Sequence, residues 1–112
     1  MSVTAKTLIA AKSAEATDTT QYTATGVRTI IDKFTATNTD SAVRTLTINL
    51  VPLAGAVGVG NRIVQAKSLA AGEAYTFPEI VGHILEAGSF ISTIASTASV
   101  ITIRCSGREI TN

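Results

Sequence analysis

From Val43 to Val51 apolar and polar residues alternate: Leu46, Ile48 and Leu50 interleave with Thr45, Thr47 and Asn49. A repeat of two marks a strand with one face turned to a core and the other to water. The preceding stretch, Thr29 to Asn38, sets Ile30, Asp32, Phe34 and Ala36 against Ile31, Lys33, Thr35 and Thr37. Between the two lies the turn-forming cluster Asn38-Thr39-Asp40-Ser41, so the pattern predicts an antiparallel hairpin. Further strands are predicted over Arg62–Ser68, Ala74–Phe77, Phe90–Ala95 and Val100–Cys105. In the last of these Ile101, Ile103 and Cys105 face one way, and Thr102, Arg104 and Ser106 the other. Gly107 then predicts a bulge or turn before Glu109-Ile110. Pro78 suits the first position of a short helical turn near 79–86, where Ile80, Val81, Ile84 and Leu85 share a face and Gly88 follows the end.

Roughly seven short strands at intervals of about 8–12 residues place the chain in the all-β class. The expected architecture is an antiparallel β-sandwich or small barrel, jelly-roll or immunoglobulin-like, formed by residues 21–112 as a single domain. Residues 1–20 differ: a low-complexity mix of Ala, Thr, Lys and Ser in which Leu8 and Ile9 are the main apolar pair. They read as an extended N-terminal arm or an edge strand that orders against something, with a frayed terminus as the alternative.

Composition sharpens this picture. A length of 112 residues suits one unit with one core. Hydrophobic residues reach 46% and charged residues only 15%, which excludes a disordered chain. The formal charge of +1 argues against a strongly basic nucleic-acid binder. With 18 threonines, no Trp and few aromatics, the core must be aliphatic and the strands β-branched. The apolar stretch Leu50–Val59 is broken by Pro52, Gly55 and Gly58, and the N-terminal apolar run is short for a signal peptide. A soluble, unprocessed chain is expected. Its one cysteine, Cys105, excludes an internal disulfide.

Candidate chemistry is sparse. His83 has no second histidine to join it in a metal site, and base catalysis would need a partner. Cys105, in line with Ile101 and Ile103, reads as a small buried hydrophobe. The run Gly55-Ala56-Val57-Gly58-Val59-Gly60 lacks the GKS/GKT ending of a phosphate loop and leads into a strand rather than a helix. Glu73, Glu79 and Glu86 flank turns and read as solvated. No catalytic, metal or cofactor site is expected. What remains are contact residues: Leu8 and Ile9 in the arm, Val57 and Val59 in the loop, and Arg28, Arg62 and Arg104, whose guanidinium forks suit protein interfaces. Threonine-rich strands with few charges are weakly protected against edge pairing, so copies of the chain or another protein are expected to cover the edges.

Several segments resemble a family of small tailed-bacteriophage proteins. They are Gln21-Tyr22-Thr23 through Ile30-Ile31-Asp32-Lys33-Phe34-Thr35-Ala36-Thr37-Asn38, Asn49-Leu50-Val51-Pro52, and Ala71-Gly72-Glu73-Ala74-Tyr75-Thr76. The resemblance continues in Pro78-Glu79-Ile80-Val81-Gly82-His83-Ile84-Leu85, Ala87-Gly88-Ser89-Phe90-Ile91-Ser92 and Ile101 through Ile110. It implies a non-catalytic virion structural protein made in the host bacterial cytoplasm, a capsid decoration or cement protein. The implied partners are the major capsid protein, copies of the chain in a homo-oligomer, or both, with no nucleic acid and no membrane. The arm would lie across an adjacent subunit and the loop Ala54–Asn61 would add contacts. The alternative is a phage tail or adhesion module that binds a host glycan or receptor.

Overall fold

The alternating, β-branched segments do form strands. A computed structural model describes residues 1–111. Its strands are β1 Ser2–Ser13, β2 Thr19–Thr23, β3 Arg28–Asn38, β4 Arg44–Val51, β5 Arg62–Leu69, β6 Ala74–Tyr75, β7 Ile84–Leu85, β8 Phe90–Ala95 and β9 Ile101–Thr111. A 3-10 turn over Val59–Asn61 completes the regular structure. One sheet has the order β1-β9-β3-β6, with β7 also on β3; the other has the order β2-β8-β4-β5. Every pairing is antiparallel. The two sheets pack into a β-sandwich whose core is aliphatic, with Phe34 and Phe77 meeting edge to face at its centre. Each such buried side chain contributes about 1.5–3 kcal/mol relative to leaving it in water.

The hairpin expected of β3 and β4 does not form. β3 pairs with β9 and β4 with β8, so the chain crosses from one sheet to the other between Asn38 and Arg44. Asn38 makes that corner. Its buried amide donates to the carbonyls of Ala42, Leu69 and Ala70 at 2.8, 2.9 and 3.2 Å, while its Oδ1 accepts from Asp40 N at 2.9 Å. The polar turn itself stays at the surface, and the buried Asn38 side chain ties it to the end of β5.

The alternation expected within β3 also changes phase. The register to β9 shifts between Ile31 and Lys33, an extra residue that lets both Ile31 and Phe34 point inward. A matching irregularity in β1, between Thr7 and Ile9, turns Leu8 and Ile9 both into the core. These two bulges flank the same stretch of β9. There Gly107 continues the strand rather than ending it, and a Cβ on it would overlap the Ile30 carbonyl oxygen and come within 2.8 Å of Leu8 Cδ1. Only glycine fits that close approach.

No helical turn forms over 79–86. Two successive β-turns, closed by Ile80 N to Phe77 O and His83 N to Ile80 O, lead into β7 on the edge of β3. Gly82, at φ +87, breaks the helical path. Ile80 and Leu85 are buried while Val81 and Ile84 are exposed, so the four do not share a face. Residues 2–13 of the N-terminal segment are strand β1, paired with β9 from Ser2 to Ser13 and forming a long edge of the five-stranded sheet.

Candidate interaction surfaces

The residues singled out from sequence as contacts divide into three groups. Leu8 and Ile9 belong to the core and are not available as contacts; the β1 bulge turns both inward. Val57 and Val59 lie in the glycine-rich loop, and Arg62 opens β5 directly after it. Arg28 and Arg104 stand on the outer face of the five-stranded sheet, at opposite ends of the β3–β9 pair.

The loop is tied down, not slack. Asn49 Nδ2 donates to Gly58 O at 2.8 Å and to Asn61 Oδ1 at 2.7 Å, and Asn61 Nδ2 donates to Ala56 O at 2.8 Å. Arg62 Nε reaches Asn49 Oδ1 at 3.4 Å, so the arginine braces the latch. Asn49 lies on the outward face of β4 and yet is buried, because the loop folds over it. Its neighbour across the pair to β8, Ser92, is equally buried, and its Oγ has no hydrogen-bond partner. At the other end of the loop Leu53 rests on Gly88, where a Cβ would overlap the Leu53 side chain. The outcome is a pinned loop that holds Leu53 70% and Val59 84% exposed. Apolar side chains held out on an ordered backbone lose little entropy when a partner covers them.

A second surface was not singled out from sequence. The outer face of the five-stranded sheet carries a groove of about 380 Å³ lined by Lys33, Thr35 and Thr37 of β3, Thr102, Arg104 and Ser106 of β9, and Ala11 of β1. The alternation of β9 already put Thr102, Arg104 and Ser106 on one side; which strand lay beside them was not legible. Arg104 donates only to hydroxyls, those of Ser106 and Thr7 at 3.3 Å each. Neither Lys33 nor Arg104 forms an ion pair among the described residues. Toward the other end of the face, Arg108 grips Asp32 bidentately and holds its carboxyl below the usual range.

The inner side of that end holds a polar cluster. Tyr22 donates its hydroxyl to Glu109 and shares a 2.7 Å hydrogen bond with Thr29, while Lys6 pairs with Glu109 at 3.3 Å. Burial first, and then the neighbouring carboxylate, push the Tyr22 phenol up to about 12. The Tyr22 bond, helped by Lys6, holds Glu109 below the ordinary carboxylate range. Every member has a partner, so the cluster pins β2 to β3 and β9.

His83 is exposed on the turn before β7, and the groove contains neither it nor a carboxylate. Burial pushes the Cys105 thiol up to about 12, which suppresses the nucleophilic thiolate. No group of three or more His, Cys, Asp or Glu able to hold a metal ion occurs among the described residues. No helix there is long and apolar enough to cross a membrane. No protein-family model, curated protein or solved structure matches the chain.

Proposed function

We propose that this chain is a non-catalytic structural protein of a bacteriophage virion, a decoration or cement protein that stabilises the head through contacts with the major capsid protein and with copies of itself. It would be made in the bacterial cytoplasm and would reside in the assembled particle. The resemblance of residues 21–38, 49–52, 71–76, 78–85, 87–92 and 101–110 to small tailed-phage proteins supports the setting. The observation that carries the mechanism is the loop latched by Asn49, which projects Leu53 and Val59 from a sandwich whose sheet-to-sheet crossing is held by Asn38. A cement protein works by bridging neighbours without deforming, and such a loop provides a preorganised apolar contact on a rigid body. Repetition on a lattice multiplies modest single-site affinities through effective concentration.

Imaging of the purified native particle tests the proposal: density for the sandwich on the head shell is expected. Density on the tail, or absence from the particle, overturns it. With the head position established, the double substitution L53D/V59D should lower occupancy about tenfold or more, as expected when anchoring apolar side chains are lost. Unchanged occupancy would remove the loop from the contact.

A further inference from the structure

Four ion pairs account for Lys6, Lys12, Arg44 and Arg108 with Glu109, Glu15, Asp40 and Asp32. Of the charges left over, Arg62 and Lys67 belong to β5, where Lys67 lies over the Tyr75 ring, and Asp18 precedes β2; the other six fall into two groups. Arg28, Lys33 and Arg104 all stand on the outer face of the five-stranded sheet, on β3 and β9. Glu73, Glu79 and Glu86 all lie in residues 70–88, a segment with no Lys or Arg. That segment runs along the far side of β3, where β6 pairs with Ala36 and Thr37 and β7 with Thr29 and Ile30. The segment's carboxylates therefore line the border of the sheet while Arg28, Lys33 and Arg104 stand on its face, and none of these six forms an ion pair among the described residues.

We infer that the basic, hydroxyl-lined outer face of the five-stranded sheet receives the acidic 70–88 border of a second copy of this chain, head to tail. The inference rests on the reading of the protein as a self-associating structural component. Three features favour the second copy as occupant. The charges on the two surfaces are opposite in sign, Arg28, Lys33 and Arg104 on the face against Glu73, Glu79 and Glu86 on the border. Lys33 and Arg104 flank a concave site whose Thr and Ser hydroxyls can donate to carboxylate oxygens once the cations are engaged. Furthermore, face and border are different surfaces, so each copy offers one of each, and a heterologous contact of this kind closes into a ring or continues as a row. The energetics are those of a weak contact. Exposed pairs contribute about 0–1 kcal/mol each, so free copies associate loosely and a shared lattice is what makes the contact persist.

Sedimentation velocity at high protein concentration tests this. Wild type should self-associate at low ionic strength and dissociate as salt screens contacts beyond a Debye length of about 10 Å at 0.1 M. The variants K33E/R104E and E79K/E86K change exposed side chains, and unchanged melting temperatures report an intact fold. Each alone should weaken association about tenfold or more, because attraction becomes repulsion. Mixed in equal amounts they should associate again, since the acidic face of one meets the basic border of the other. A wild type that stays monomeric, association indifferent to either reversal, or a mixture that fails to reassociate overturns the inference. The virion role fails on a different result, absence of the chain from the imaged particle, so the two are separable.

Discussion

Replacing Asn38 by alanine should cost far more than the loss of a loop residue. The side chain is fully buried, and its two amide hydrogens serve three carbonyls, on Ala42, Leu69 and Ala70, while its oxygen holds Asp40 N. At a net ~1 kcal/mol per bond, with a further penalty for acceptors left dry, Asn38→Ala is expected to lose about 2–4 kcal/mol. For a domain of this size that is a fall in Tm of about 10–25 °C. Asn38→Asp has the same shape but turns an oxygen toward those three carbonyls. It should cost about 3–5 kcal/mol at neutral pH, as a buried unpaired charge does. Burial and the facing carbonyls raise the pKa of the new carboxyl in the folded state above its unfolded value of about 3.9. The neutral acid donates one hydrogen bond, so the deficit of Asn38→Asp should shrink as pH falls toward that value and grow as pH rises. Urea and thermal unfolding followed by circular dichroism at several pH values measure both effects. An alanine variant within about 0.5 kcal/mol of wild type, or an aspartate variant with no pH dependence beyond that of wild type, would refute the corner assigned to Asn38.

Gly107→Ala should destabilise by about 3 kcal/mol or more, since the new methyl meets a fixed backbone oxygen. Gly26→Ala, at φ +70 in open space, should cost only about 1–2 kcal/mol, so equal losses in thermal melts would sink the close-approach explanation. Tyr22→Phe removes the donor that depresses Glu109, whose ordinary value is 4.5. A depressed carboxylate stabilises the fold above that value and loses the effect as pH falls through its folded pKa, so the variant should show a flatter acid limb in a stability–pH curve. On the alkaline side, the stability that Tyr22 adds below pH 10 and loses on the way to about 12 should vanish with the phenol. Cys105 should resist iodoacetamide in the native protein at mildly alkaline pH and react once urea unfolds the chain; prompt native labelling would contradict its burial.

Strand positions were legible because period-two patterning reports local conformation directly. Phe90–Ala95 appears with the bounds expected, and Ile101, Ile103 and Cys105 point inward as their alternation requires. Pairing was less legible. Alternation in β3 and β4 says that each has a buried face but not which strand lies beside it, and the polar turn between them looked the same whether it joined neighbours or crossed between sheets. Bulges hid as well, since one extra residue at Asp32 reverses the phase of everything after it. At 80–85 the apolar spacing fitted a helix, and the outcome was decided by Gly82 and by the free edge of β3. Among the contact residues Val59 was visible as an apolar residue in a loop. Leu8 and Ile9 were misplaced because adjacent apolar residues on one face require a bulge that no local pattern announces. The groove needed Lys33 and Arg104 to be brought together by long-range pairing.

The order β1-β9-β3 has a consequence for biosynthesis. β1 and β3 are both synthesised well before β9, which lies between them in the finished sheet, so neither gains its principal neighbour until synthesis has passed residue 111. Translation thus imposes an interval in which two long ladders stand bare, a window for chaperone capture or for mispairing between nascent chains. Removing β9 would take out the middle of the sheet, leaving β1 without its partner rather than trimming an end.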